Sequence, residues 1–214
     1  MSVAAKICGL STEAAVAAAV AGGAAYLGFV FYPPSPRAVT AERAARLCAG
    51  VPSGVGRVGL FVDADEDAIA AVLTEAPIDL MQFHGNESPE RVANARTRFG
   101  RPVMKAIAIA GAEDVLAAAR YEEVADLLLF DAKPSSRPEA LPGGNGLPFD
   151  WALIAGGSWR CPWMLSGGLT AELLPEAVRI SGATAVDVSS GVESRPGVKD
   201  LKKIHDFLAV ARTL

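Results

Sequence analysis

The chain is short of several things that would mark other classes of protein. Its 214 residues include three cysteines, Cys8, Cys48 and Cys161, too few and too irregular for a disulfide framework. None forms a Cys-x-x-Cys pair, and no His, Asp and Glu cluster has metal-ligand spacing, so no metal or other cofactor is expected. Lys and Arg are scattered without a basic run and the net charge is −4, which argues against a nucleic-acid partner. Hydrophobic residues reach 51%, yet no apolar run attains the roughly 18 to 20 residues that cross a bilayer. The longest Ala-rich stretch, Glu13 to Ala25, is interrupted by glycines. The start Met1-Ser2-Val3-Ala4-Ala5-Lys6 lacks the pattern of a secretory signal. A cytoplasmic location is therefore expected, with no membrane and no required protein partner.

What is present is alternation. Short apolar runs at Ala4–Ile7, Tyr26–Val30, Arg57–Val62, Leu80–Gln82, Val103–Ile107, Leu127–Phe130, Trp163–Leu165 and Ala185–Val188 read as strands. Several are continuously apolar, as parallel strands covered on both faces require. Helix starts follow at Thr12, Thr40, Asp65 and Thr170, and at Ser88-Pro89-Glu90, where a hydroxyl cap precedes Pro and an acid. Lys199 to Leu214 carries Leu201, Ile204, Phe207, Leu208 and Ala211 on one stripe, so a terminal helix is expected. Eight strand-then-helix units predict an α/β chain folded as one (β/α)₈ barrel over residues 1–214, with a doubly wound open sheet as the alternative. The two Pro/Gly/Ser-rich connections, Phe31–Val39 and Ala132–Pro148, both follow strand C-termini, the face where barrel active sites form.

Three constellations at those strand ends carry chemistry. Ser166-Gly167-Gly168-Leu169 and Ser189-Ser190-Gly191-Val192 follow the last two strands, where glycines let backbone N–H groups close on an anion. Barrels commonly bind phosphate at those two positions, so a phosphate site is expected here. Lys6 and Cys8, two apart on the first strand, share a face, and a nearby cation would favour the thiolate and make Cys8 a base or nucleophile. Asp131 leaves a run of four apolar residues at the sixth strand's rim, a position suited to a proton donor. Arg37, on the Pro-rich second loop, offers a fork of donors to a carboxylate, and Gln82 and His84 end the fourth strand. Asp63, in a cluster with Asp65, Glu66 and Asp67, reads as a capping residue.

In this order, these segments resemble phosphoribosylanthranilate isomerase from Lys6 to about Asp200. The carrying motifs are Lys6-Ile7-Cys8-Gly9, Leu27-Gly28-Phe29-Val30-Phe31-Tyr32 with Ser35-Pro36-Arg37, Val58-Gly59-Leu60-Phe61-Val62-Asp63, and Gln82-Phe83-His84-Gly85. They continue through Gly143-Gly144-Asn145-Gly146, Phe149-Asp150-Trp151, Ser166-Gly167-Gly168-Leu169, Asp187-Val188-Ser189-Ser190-Gly191-Val192-Glu193 and Pro196-Gly197-Val198-Lys199-Asp200. The resemblance implies an Amadori rearrangement of a phosphorylated sugar–anthranilate conjugate in tryptophan biosynthesis. It implies Asp131 as general acid, Cys8 as general base, Arg37 facing the anthranilate carboxylate, and Gly143 to Gly146 as a loop over substrate. Gly167, Gly168, Ser189, Ser190 and Gly191 match the phosphate grip, and Lys6, Gln82, His84, Gly144 and Asp187 are expected at the substrate. Two rivals are a catalytically silent phosphate-binding barrel and the histidine-pathway sugar isomerase. The latter family has an aspartate where this chain has Cys8.

Overall fold

A computed structural model describes residues 2–133, 143 and 148–214. In chain order the principal elements are β1 (Ala4–Cys8), α1 (Glu13–Ala21), β2 (Tyr26–Val30), α2 (Ala41–Cys48), β3 (Gly56–Phe61), α3 (Glu66–Glu75), β4 (Leu80–Phe83), α4 (Pro89–Phe99) and β5 (Val103–Ile109). They continue with α5 (Ala112–Ala118), β6 (Leu127–Ala132), β7 (Trp163–Leu165), α6 (Leu174–Ser181), β8 (Ala185–Val188), β9 (Glu193–Arg195), β10 (Val198–Lys199) and α7 (Leu201–Ala211). Strands β1 to β8 are parallel neighbours in sequence order and close into a barrel, while β9 and β10 form a small antiparallel hairpin outside it. The open doubly wound sheet is excluded.

Alternation along each strand divides the barrel into two environments. Ile7, Leu27, Phe29, Phe61, Met81, Phe83, Phe130 and Val186 turn outward into the core shared with the helices. Each such burial contributes about 1.5–3 kcal/mol. Their neighbours turn inward: Val58, Leu80, Met104, Ala106, Leu129 and Met164 make a separate interior cluster. Lys6, Gln82 and Asp187 are buried polar groups on strands whose next inward positions are Cys8 and His84, or the turn that follows β8.

The helices begin where their caps dictate. Thr12, Thr40, Asp65 and Ser88 each accept a backbone N–H three residues on, at 3.3, 3.1, 2.8 and 3.2 Å. Three expectations shift. Helix α6 starts at Leu174 and not after Thr170; Thr170 accepts from Leu173 N, and Pro175 occupies the first turn, where a missing N–H costs nothing. Helix α7 starts at Leu201, because the Asp200 carboxylate caps Lys202 N and Lys203 N. After β6, the described residues hold only a 3₁₀ turn, Trp151–Leu153, where an eighth α-helix was expected.

The seam between β1 and β8 is closed by charge. Lys6 pairs in register with Asp187, and Lys6 Nζ donates to Asp187 Oδ1 at 2.8 Å with both side chains almost wholly buried. Burial pulls the Lys6 ammonium down, but Asp187 and Cys8 together outweigh it and the net shift is upward. Removing one partner strands a buried charge, which typically costs about 3–5 kcal/mol. Lys6→Met should lower unfolding stability by about that amount in urea titration, and Lys6→Met/Asp187→Leu should recover much of the loss. A single variant as stable as the parent would show that the pair does not close the barrel.

Candidate active site

One cleft, enclosing about 740 Å³ of space open to solvent, lies at the C-terminal ends of the strands. Cys8 and Asp131 both line it, with His84, Arg37 and Ser166, and its apolar wall is Val30, Leu60 and Val62.

Cys8 is 4% exposed and stands directly above Lys6. Both crowd the bare backbone of β2: a Cβ on Gly28 would fall 2.9 Å from Cys8 Sγ and 3.2 Å from Lys6 Nζ. Lys6 does favour the Cys8 thiolate, as a nearby cation should, but burial acts against it. Burial pushes the thiol above its ordinary value, and the opposing pull of Lys6 does not overcome it. The Lys6 charge is already committed to Asp187.

Asp131 is the penultimate residue of β6. Its Oδ1 accepts from Ala132 N at 2.9 Å, and its Oδ2 lies 3.2 Å from His84 Nε2. Gln82 sits two residues before His84, wholly buried, with Nε2 2.9 Å from His84 Nδ1. Gly143 presses on the pair from the sixth loop: a Cβ there would lie 2.7 Å from His84 Nε2. Gly144, with Asn145 and Gly146 of the expected closing loop, lies outside the described residues.

The two glycine turns meet at the cleft wall beside Asp131. Gly167 has φ 85°, a conformation open to glycine, and its Cβ position is 2.7 Å from Ala132 N. Gly191 abuts the other turn so closely that a Cβ would overlap the Leu169 carbonyl at 1.9 Å. Gly168, Ser189 and Ser190 complete the cleft wall there. These turns and the Cys8–Asp131 pair therefore face one shared cavity.

A family described as N-(5'phosphoribosyl)anthranilate (PRA) isomerase matches residues 5–210. The chain belongs to the PRA isomerase family. It is similar to the N-(5'-phosphoribosyl)anthranilate isomerase of Rhodospirillum centenum, 58% identical over 214 residues and covering 100% of each chain. The enzyme of that name from Paramagnetospirillum magneticum is 54% identical over 212 residues, covering 99% of this chain and 98% of the relative. Among solved structures, phosphoribosyl anthranilate isomerase from Thermotoga maritima superposes with a TM-score of 0.89 at 36% identity, covering 99% of this chain and all (100%) of that one. A PRA isomerase in complex with reduced 1-(o-carboxyphenylamino)-1-deoxyribulose 5-phosphate gives 0.85 at 34%, with 99% and 100% covered.

Within this PRA isomerase barrel, two residues expected at the substrate lie off the cleft wall. Lys6 and Gln82 are buried behind Cys8 and His84 and do not line the cleft, because the inward positions one layer below the mouth have no access to it. Asp187 does reach the wall, while bound to Lys6 and to the Ser166 hydroxyl at 3.1 Å. Arg37 lines the cleft but gives Nε and Nη2 to Glu193 at 2.8 and 2.9 Å. Asp63 caps no helix; Asp65 does that, and Asp63, at φ 47°, instead accepts from Asn86 N at 2.7 Å.

Sequence reading assigned no role to Glu193 and Lys199, which face each other across the β9–β10 hairpin. Lys199 Nζ donates to Glu193 Oε1 at 2.8 Å and to the Ser189 carbonyl at 2.9 Å, tying the phosphate-type turn to Arg37. Only their place in the last matching motifs hinted at this. A second buried pair, Lys105 with Glu87 at 2.8 Å, fixes the loop after β4; its one signal was a lysine inside an apolar strand.

Burial pushes the Glu193 carboxyl up, but Arg37 and Lys199 overcome it and hold it below its usual 4.5. A carboxyl depressed in the fold contributes stability that is fully present above the unfolded value and is lost as pH falls through the folded one. Glu193→Gln should therefore destabilise the protein at neutral pH and flatten its acid sensitivity below about 4.5. Urea unfolding across pH measures both; a constant difference between variant and parent would refute the linkage.

Proposed function

We propose that the chain isomerises N-(5'-phosphoribosyl)anthranilate to 1-(o-carboxyphenylamino)-1-deoxyribulose 5-phosphate in tryptophan biosynthesis, acting in the cytoplasm as one catalytic barrel over residues 1–214. The observation that carries this reading is the Cys8 thiol and Asp131 carboxyl lining one cleft with both glycine turns. The relatives named above as N-(5'-phosphoribosyl)anthranilate isomerases support it.

The phosphate seats between Gly167–Gly168 and Ser189–Gly191, fixing the sugar across the barrel mouth. Arg37, held in orientation by Glu193, faces the anthranilate carboxylate. Asp131 gives its proton to the furanose ring oxygen; the C1–O bond breaks toward that oxygen, and the nitrogen lone pair closes a cationic Schiff base. That cation, arriving in a buried site, favours the Cys8 thiolate against the desolvation that disfavours it, and the thiol proton leaves to water. Cys8 then takes the C2 proton, giving a neutral enolamine. Cys8 is a thiol again once it holds the C2 proton; collapse to the ketone moves the enol hydroxyl proton to C1, and a proton from water restores Asp131 as the acid. Acid first and base second is the order the electrostatics supports. The chemistry asks for a proton donor and a proton acceptor, with no resident cofactor.

Loss of phosphoribosylanthranilate fluorescence on adding purified protein is the direct assay; no loss would reject the reading. Cys8→Ala and Asp131→Asn should each lower kcat by about 10²-fold or more with folding little changed. Turnover like the parent's in either variant would reject its role. Inorganic phosphate should raise the apparent KM at constant kcat, and indifference to phosphate at high concentration would count against the grip.

A further inference from the structure

The Gln82–His84–Asp131 chain, running from the barrel interior to the cleft wall, is more specific than proton transfer from Asp131 alone requires. Gln82 and His84 are two apart on β4 and its end, so they share the inward face. Gln82 is completely buried beneath the imidazole, and Gln82 Nε2 is 2.9 Å from His84 Nδ1. An amide N–H can only donate, so Nδ1 accepts and the neutral ring's single proton sits on Nε2, 3.2 Å from Asp131 Oδ2. Protonating Nδ1 would set one N–H against another. The neighbouring charges are otherwise committed: Asp63 holds Asn86 N, and Glu87 and Lys105 hold each other. Among the described residues, Asp131 is the titratable group that meets the imidazole.

We propose that Gln82 is a positioning residue that keeps the catalytic proton on Asp131 by denying it to His84. A histidine hydrogen-bonded to a carboxyl acid competes for its proton and, on winning, leaves an ion pair with no acid for the ring oxygen. Gln82 blocks that outcome by occupying the only nitrogen where a second proton could go. His84 Nε2–H, donating to Oδ2, leaves Oδ1 as the oxygen that carries the proton while still accepting from Ala132 N. The proton then passes from Oδ1 to the ring oxygen as the C1–O bond opens, and Asp131 ends as the carboxylate held by His84.

The orientation of the amide decides this, because the turned-over amide would accept from Nδ1–H and invite the imidazolium. As placed, the buried group left without a partner is the Gln82 carbonyl oxygen. Turning the amide would strand its N–H donors in place of that oxygen, and orphaned buried donors are the rarer and costlier case.

The inference rests on the isomerase reading, but its main test does not depend on turnover. The chain has only two histidines, and His205, with its side chain 70% exposed, serves as the internal reference in ¹⁵N-histidine NMR. In the parent at neutral pH, His84 should show a pyrrole-type Nε2 and a pyridine-type Nδ1. Gln82→Glu, whose carboxylate accepts from Nδ1–H, should convert His84 to imidazolium, and Gln82→Met should remove the bias toward Nε2–H. In both variants kcat should fall by about tenfold or more with KM within about twofold, since substrate contacts are intact. A parent spectrum with Nδ1 protonated, or variants that keep the parent tautomer, would overturn the proposal even if every protein is active. A parent with the expected spectrum and no isomerase activity would instead sink the functional reading alone. If the variants fail to fold, the parent spectrum still decides the tautomer.

Discussion

The buried Lys6–Asp187 ion pair is the interaction on which the rest of the site depends. It sits where a closed barrel has its one unavoidable seam, between the first strand and the last. A charge pair there is an expensive way to fill space, since packed apolar side chains of the same volume are often as stable or more so. Its position explains its use. Lys6 is the floor under Cys8, and Asp187 reaches the wall of the cleft while accepting from Ser166, whose turn carries Gly167 and Gly168. One interaction thus sets the Cys8 thiol and the phosphate-type turns against each other at fixed distance.

The Asp131 side of the cleft is built by a parallel device. Lys105 on β5 donates to Glu87 and to the Gly85 carbonyl, and Glu87 accepts from Asp63 N and Gly85 N. The loops after β3 and β4 are therefore clamped together, and His84 leaves β4 at the start of that clamp. A third network, Arg37–Glu193–Lys199, ties the second loop to the hairpin after β8. The Lys105–Glu87 clamp joins consecutive loops and the Arg37–Glu193 pair joins residues 156 positions apart, and each is buried enough that water does not screen it. The electrostatics of the mouth is thereby set before substrate arrives, as transition-state stabilisation by fixed dipoles and charges demands.

Much of this was legible in the sequence because it is local. Ser88-Pro89-Glu90 announces a helix start through a hydroxyl, a fixed φ and an acid within three residues, and the helix is there. Leu127–Phe130 and Tyr26–Val30 announce strands covered on both faces by continuous apolarity. Thr170 misled for a local reason as well: it does accept a backbone N–H, but Pro175 in the chain ahead moved the first helical turn to Leu174. Lys6 and Gln82 misled because a polar residue near a strand's end looks the same whether it reaches the mouth or lies one layer beneath it.

The sequence by itself determined the alternation of strands and helices, the caps, and the presence of an acid, a thiol and two glycine turns at strand ends, since each follows from residues within a few positions. Only the tertiary structure decided which charges neutralise one another, that Arg37 answers to Glu193, that burial raises the Cys8 thiol despite Lys6, and that Gln82 speaks to His84 and not to solvent. Those outcomes depend on closure: pairing β1 with β8 brings together residues 181 positions apart and removes the water that would have screened them.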